Sequence, residues 1–243
     1  MSDLNTYFSQ HFLNTEQLAA VCQLSQSNLL DLIQHQLIPG PSYVVSKSTA
    51  RSYVFRELPA DGATDGEYFH PATEVWANIA RHVIDEVGRH RAYEALKQRF
   101  AVNLQCALAD LNASVWRLRD SFADDGAVIH EGLRIRTESV WEHFLHGTFG
   151  LCVANPISEA AIARKEVLQE KLTALSENGT KKTFSEGEAR TVLELIDAYA
   201  TAAMPFSPIE YPISSRKRLV EDLSTRVKAV QQGAATDSLS RLS

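Results

Sequence analysis

Residues 13–41 read LNTEQLAAVCQLSQSNLLDLIQHQLIPGP, and this stretch decides what kind of fold opens the chain. Leu18, Ala19 and Cys22 fall on one face of a short helix that Asn14 or Thr15 can cap. Gln17 follows Asn14 by three residues, the spacing of a capping box in which each side chain bonds the other's backbone N–H. After Leu24, Ser25 can cap a second helix that turns Leu29, Leu30, Leu32 and Ile33 inward. Pro39-Gly40-Pro41 stops it, since proline cannot supply the next helical N–H. The spacing predicts two short helices joined by a tight turn.

Two short β-like runs follow, Ser42–Val45 and Ser52–Phe55, separated by SKSTAR, and they predict a small wing hairpin. The pattern T-E-Q-L-A-x-V-C-x-L-S-x-S-x-L-x-x-L-I-x-x-x-L-I-P over Thr15–Pro39, with this wing behind it, resembles the start of the MerR-type winged helix-turn-helix family. The resemblance implies a second helix that enters the DNA major groove and carries basic residues. Here residues 1–46 hold Asp3, Glu16 and Asp31 and neither lysine nor arginine. Gln26, Asn28 and Gln34 could read base edges, but Asp31 would repel phosphate, and phosphate contacts supply most of the affinity. The nearest cations are Lys47, Arg51 and Arg56, in and after the wing. The module is therefore expected to serve packing or dimer contacts, and nucleic acid is not an expected partner.

The whole chain has 243 residues and a net charge of −6, with 44% hydrophobic and 22% charged residues, an ordinary globular balance. Cys22, Cys106 and Cys152 lie far apart without a C-x-x-C pair, so neither a disulfide framework nor a zinc ribbon is indicated. MSDLNTYFSQ lacks the basic start and apolar block of a secretory signal, and no apolar run approaches the roughly 20 residues a membrane helix needs. A cytoplasmic protein without a membrane partner is expected.

Pro59–Gly66, PADGATDG, reads as a linker. Beyond it the pattern turns helical: Val75, Ile79, Val83 and Val87 repeat every four residues up to Gly88. A longer rod steps from Tyr93 through Phe100 and Leu108 to Leu118, and Asp124-Asp125-Gly126 ends it. VIHEGLRIRT reads as a hairpin around Glu131-Gly132, followed by a helix from Glu138 to His146. Asn155-Pro156 opens a helix that runs to Glu177, and SEGE (Ser185–Glu188) is a capping box for the next. PFSPIEYP is an extended connector, Ser214 caps the last helix, and a polar tail begins near Gly233. The fold class expected is mainly α: a small winged helix-turn-helix-like module (1–66) packed on an α-helical domain (67–232) with minor β-hairpins, and a disordered tail (233–243).

Catalytic signatures are absent. No Walker loop, no G-x-G-x-x-G and no G-x-S-x-G elbow occurs. Glu142, His143 and His146, with Glu138 one turn earlier, form the densest set of metal-type ligands, and His82 with Glu86 makes a second i,i+4 pair. Without a matching E-x-x-H on a second helix, neither a metal site nor a cofactor is expected. Arg216, Lys217 and Arg218 crowd the first turn of the helix capped by Ser214 or Ser215, where the dipole disfavours cations and backbone N–H groups are free. That combination suits a carboxylate or phosphate, although Glu210, Glu221 and Asp222 could equally neutralise it. In HGTFGLC (His146–Cys152), Gly147 and Gly150 let the backbone turn sharply around Thr148.

FLHGTFGLC (Phe144–Cys152), NPISEAAIARKE (Asn155–Glu166) and PFSP…SSRKRLV (Pro205–Val220) resemble an uncharacterised bacterial family associated with natural-product biosynthesis. The resemblance implies no reaction and no catalytic residues. It does suggest that Gly147 and Thr148 meet Ser214, Ser215, Arg216 and Arg218 in a shared pocket. The function expected is an accessory or ligand-binding protein of a small-molecule pathway, with an anionic small molecule or a pathway protein as partner and a homodimer as an option. An effector-sensing regulator, or an enzyme with a helical active site around Glu142, His143 and His146, remains the alternative.

Overall fold

The computed structural model describes residues 3–229, so the expected tail at 233–243 lies outside the described residues. The opening stretch folds as its caps demand. After α1 (Asp3–His11) and a two-residue strand β1 (Leu13–Asn14) comes α2 (Thr15–Val21), with the Asn14–Gln17 capping box closed in both directions at 2.9 Å. Ser25 caps α3 (Gln26–Gln34) by accepting the Asn28 N–H at 3.1 Å.

The wing is larger than a hairpin. Strands β2 (Tyr43–Ser46), β3 (Thr49–Ser52), β4 (Arg56–Pro59) and β5 (Gly66–Phe69) join β1 in an antiparallel sheet of order β1-β5-β2-β3-β4. The β2–β3 hairpin closes at Lys47-Ser48, both with positive φ, the geometry that matches strand twist in a two-residue turn. Its second strand therefore precedes the expected Ser52–Phe55, which instead forms the β3–β4 turn. Pro59–Gly66 connects β4 to β5, and β5 pairs with both β1 and β2, so the expected linker lies within one sheet.

The helical body begins with α4 (Thr73–Val87), broken at Gly88, whose φ of 79° suits glycine, and continues in α5 (Arg89–Ser114). The expected hairpin around Glu131-Gly132 is corrected: α6 runs from His130 to Leu145. The reversal falls earlier, at Asp124–Gly126, where Ala123 N–H bonds the Ala127 carbonyl. Leu133, Thr137, Trp141 and Phe144 make the buried stripe of α6, and Arg134 pairs with Glu131 and Glu138 on its outer face. Gly132 serves close approach rather than a turn, since a Cβ there would lie 1.6 Å from the Asp120 carbonyl oxygen.

Short α7 (Thr148–Cys152), α8 (Glu159–Leu175) and α9 (Glu186–Ala202) follow, the last opened by the Ser185–Glu188 capping box. A connector leads to α10, residues 215–229, wound as π-helix over Lys217–Asp222. Among the described residues, the buried side chains form three cores. Leu18, Leu29 and Leu32 of the opening module share one with Trp76, Phe100 and Phe144 of the body. The sheet and α1 pack around Phe8 and Tyr43, and α8, α9 and α10 pack around Leu172, Ile196 and Leu223. The fold is mainly α with a small antiparallel sheet, and no described helix is long and apolar enough to cross a membrane.

Candidate functional site

Three of the six residues marked in the sequence, Gly147, Ser214 and Arg216, have structural work of their own. Gly147, at φ 68°, joins α6 to α7 where any Cβ would lie 2.5 Å from the Gly40 carbonyl oxygen, and its own carbonyl accepts the Ser42 hydroxyl at 2.9 Å. The elbow is thereby docked on the Pro39-Gly40-Pro41 stop. Ser214 caps α10 through the Lys217 N–H at 3.1 Å. Arg216 donates to the carbonyls of Ala200 and Ala203, both at 2.8 Å, and so closes the end of α9. Arg218 packs beside Gly179 in the loop after α8, and its Nε is buried without a partner among the described residues. Arg216 thus packs on the end of α9, and Arg218 on the loop after α8.

Thr148 and Ser215 share a cavity of about 360 Å³ between α6, α7, α8 and the start of α10. Val54, Phe55, Val140 and Phe206 contribute apolar lining, and Cys152, Lys165, Glu166 and Gln169 line it as well. The floor is tied by Tyr199, fully buried, whose hydroxyl lies 2.8 Å from Ser215 Oγ and donates to Gln169 Oε1 at 3.2 Å. His143 Nδ1 and Thr148 Oγ1 share a hydrogen bond of 3.2 Å at the rim.

The unusual group is Lys165. Its side chain is 3% exposed, and its Nζ lies 2.8 Å from Oε1 of Glu166, which is 39% exposed. Burial disfavours the ammonium, but the Cys152 sulfur and the Glu166 carboxylate outweigh it, and the lysine pKa is raised. Burial pushes the Cys152 thiol up to about 11, so at neutral pH Cys152 is uncharged and Glu166 is the partner that counts. Burial likewise raises the Tyr199 hydroxyl. The cavity therefore presents one buried cation, one carboxylate nearer solvent, and neutral hydroxyl and thiol groups. Sequence reading passed over Lys165, although a signal existed. Ile162, Lys165, Leu168 and Leu172 step by three or four, so this lysine occupies the middle of an apolar stripe.

Glu142, His143 and His146 hold the cavity's cover. Tyr53 in the β3–β4 turn donates to Glu142 Oε1 at 2.7 Å and stacks on His146 at 4.1 Å and 15°. The same turn carries Val54 and Phe55, and Phe55 meets Phe206 edge-on at 5.8 Å. Among the described residues, no group of three or more His, Cys, Asp or Glu side chains could hold a metal ion.

Residues 96–228, more than half of the chain, match a family of unknown function (DUF6058), and the chain belongs to that family. The cavity residues from Ser139 to Ser215 fall within the matched span. No curated protein and no solved structure matches the chain.

Proposed function

For this member of a family without an assigned activity, we propose a cytoplasmic ligand-binding or accessory protein that takes the anionic group of a small molecule into the Lys165 cavity. The setting we propose is small-molecule biosynthesis, as in natural-product pathways. One observation carries the reading: a charged lysine is buried beside an open cavity. Burying a cation costs more than a nearby carboxylate commonly returns, and apolar replacements of such pairs are often neutral or stabilising. A stability role explains Lys165 poorly; recognition of an anion explains it well. The cavity lies near the lower end of the roughly 300–1,000 Å³ of small-molecule sites, and its apolar wall with few polar groups has their usual character.

The helix-turn-helix-like module is assigned no role on DNA. In support, Gln26, Ser27, Asn28, Leu30 and Gln34 form an exposed surface of α3 without a cation, while Asp31 is held by Arg89. Free Cys22, Cys106 and Cys152 fit a reducing compartment.

Lys165→Met separates binding from stability. Thermal denaturation with a panel of small carboxylates, amino acids among them, should show a stabilising compound for the wild type and none for the variant. The variant without ligand should melt at the wild-type temperature or above it. A variant that melts much lower and still binds would make Lys165 structural and sink the proposal.

A further inference from the structure

We infer that the ligand is a zwitterion with an apolar body, of the α-amino-acid class; this rests on the anion-binding reading above. The cavity is lined by two adjacent opposite charges, the Lys165 ammonium and the Glu166 carboxylate, 2.8 Å apart. They differ in depth: Lys165 is 3% exposed and Glu166 is 39% exposed. A molecule with a carboxylate alone would place like charge beside Glu166 and leave that carboxylate without a partner from the ligand. A molecule that also carries an ammonium meets both groups with opposite charge, carboxylate inward on Lys165 and ammonium outward on Glu166.

The neutral groups fit the same placement. With Tyr199 donating to Gln169, the Ser215 hydroxyl donates to Tyr199 at 2.8 Å; Thr148 can donate to the carboxylate when the ring N–H of His143 supplies the proton of their shared bond. Gln169 has an amide oxygen already engaged by Tyr199, which leaves its NH₂ to donate. Val54, Phe55, Val140 and Phe206 line the same cavity and supply apolar surface for an aliphatic or aromatic side chain.

Three compounds of one shape test this by calorimetry on the full chain: L-phenylalanine, 2-phenylethylamine and 3-phenylpropionate. L-Phenylalanine is expected to bind at least about tenfold more tightly than either single-charge analogue, the scale of one charged hydrogen-bonded contact. Glu166→Gln keeps the shape without the charge, and it should erase the preference for L-phenylalanine over 3-phenylpropionate. Equal or tighter binding of 3-phenylpropionate by the wild type would overturn the zwitterion and leave the anion reading standing. Binding of 2-phenylethylamine alone would overturn both. Binding of none, or an unchanged preference in Glu166→Gln, would overturn the inference, and the anion reading would then rest on the Lys165→Met comparison.

Discussion

Glu210 shows how much one buried group can dictate. It is 1% exposed, accepts from the Tyr43 and Ser207 hydroxyls, the latter at 2.8 Å, and has no cation within ion-pair distance among the described residues. Burial raises its pKa, so the folded state favours the protonated acid. Its stabilising contribution is complete below the unfolded value of 4.5 and is lost as pH rises through the raised folded value. Glu210→Gln removes that loss. Melting temperatures measured from roughly pH 4 to 8 should show wild type falling relative to the variant as pH rises; parallel curves would contradict the assignment. Residues such as Glu210 were legible in the sequence only as charges near a connector. Ser214 was legible as a cap because capping depends on neighbours along the chain. Glu210 depends on Tyr43, 167 positions away, and Lys165 on Cys152 and Tyr199, which lie on other helices.

At the scale of elements, local signals worked wherever both partners of an interaction sit within one turn. The Asn14–Gln17 and Ser185–Glu188 capping boxes mark the starts of α2 and α9. Gly88 marks the break between α4 and α5. Local reading failed at Gly132, because a glycine needed for close tertiary approach looks the same in sequence as one needed for a turn. Here the Asp120 carbonyl sits where a Cβ would be, and the flanking Asp120–Arg136 pair holds it there. Gly132→Ala should therefore destabilise the protein by about 2 kcal/mol or more, as overpacking against backbone outweighs the roughly 1 kcal/mol that alanine gains in helix propensity. Chemical denaturation reads this directly. A neutral or stabilising substitution would mean that the Asp120 segment yields easily. The wing was half legible for a related reason: strand residues were visible, but β5 joins through pairings with Leu13 and Tyr43 that no window of sequence contains.

For the whole molecule, the opening module and the helical body share a core, and the module's β3–β4 turn covers the cavity between α6 and α8. The opening module thus supplies part of the cavity wall, through Val54 and Phe55. The chain carries −6 overall, and its first 46 residues hold no lysine or arginine, a balance that does not favour nucleic acid. Random duplex titrated at low salt should not bind at micromolar protein, whereas clear salt-sensitive binding would restore a role on nucleic acid. The central claim concerns the cavity, and native mass spectrometry on gently purified protein tests it most directly. The wild type is expected to carry a bound small molecule whose mass is missing from Lys165→Met prepared alongside it. An empty wild type, or a mass retained in full by the variant, would contradict the account.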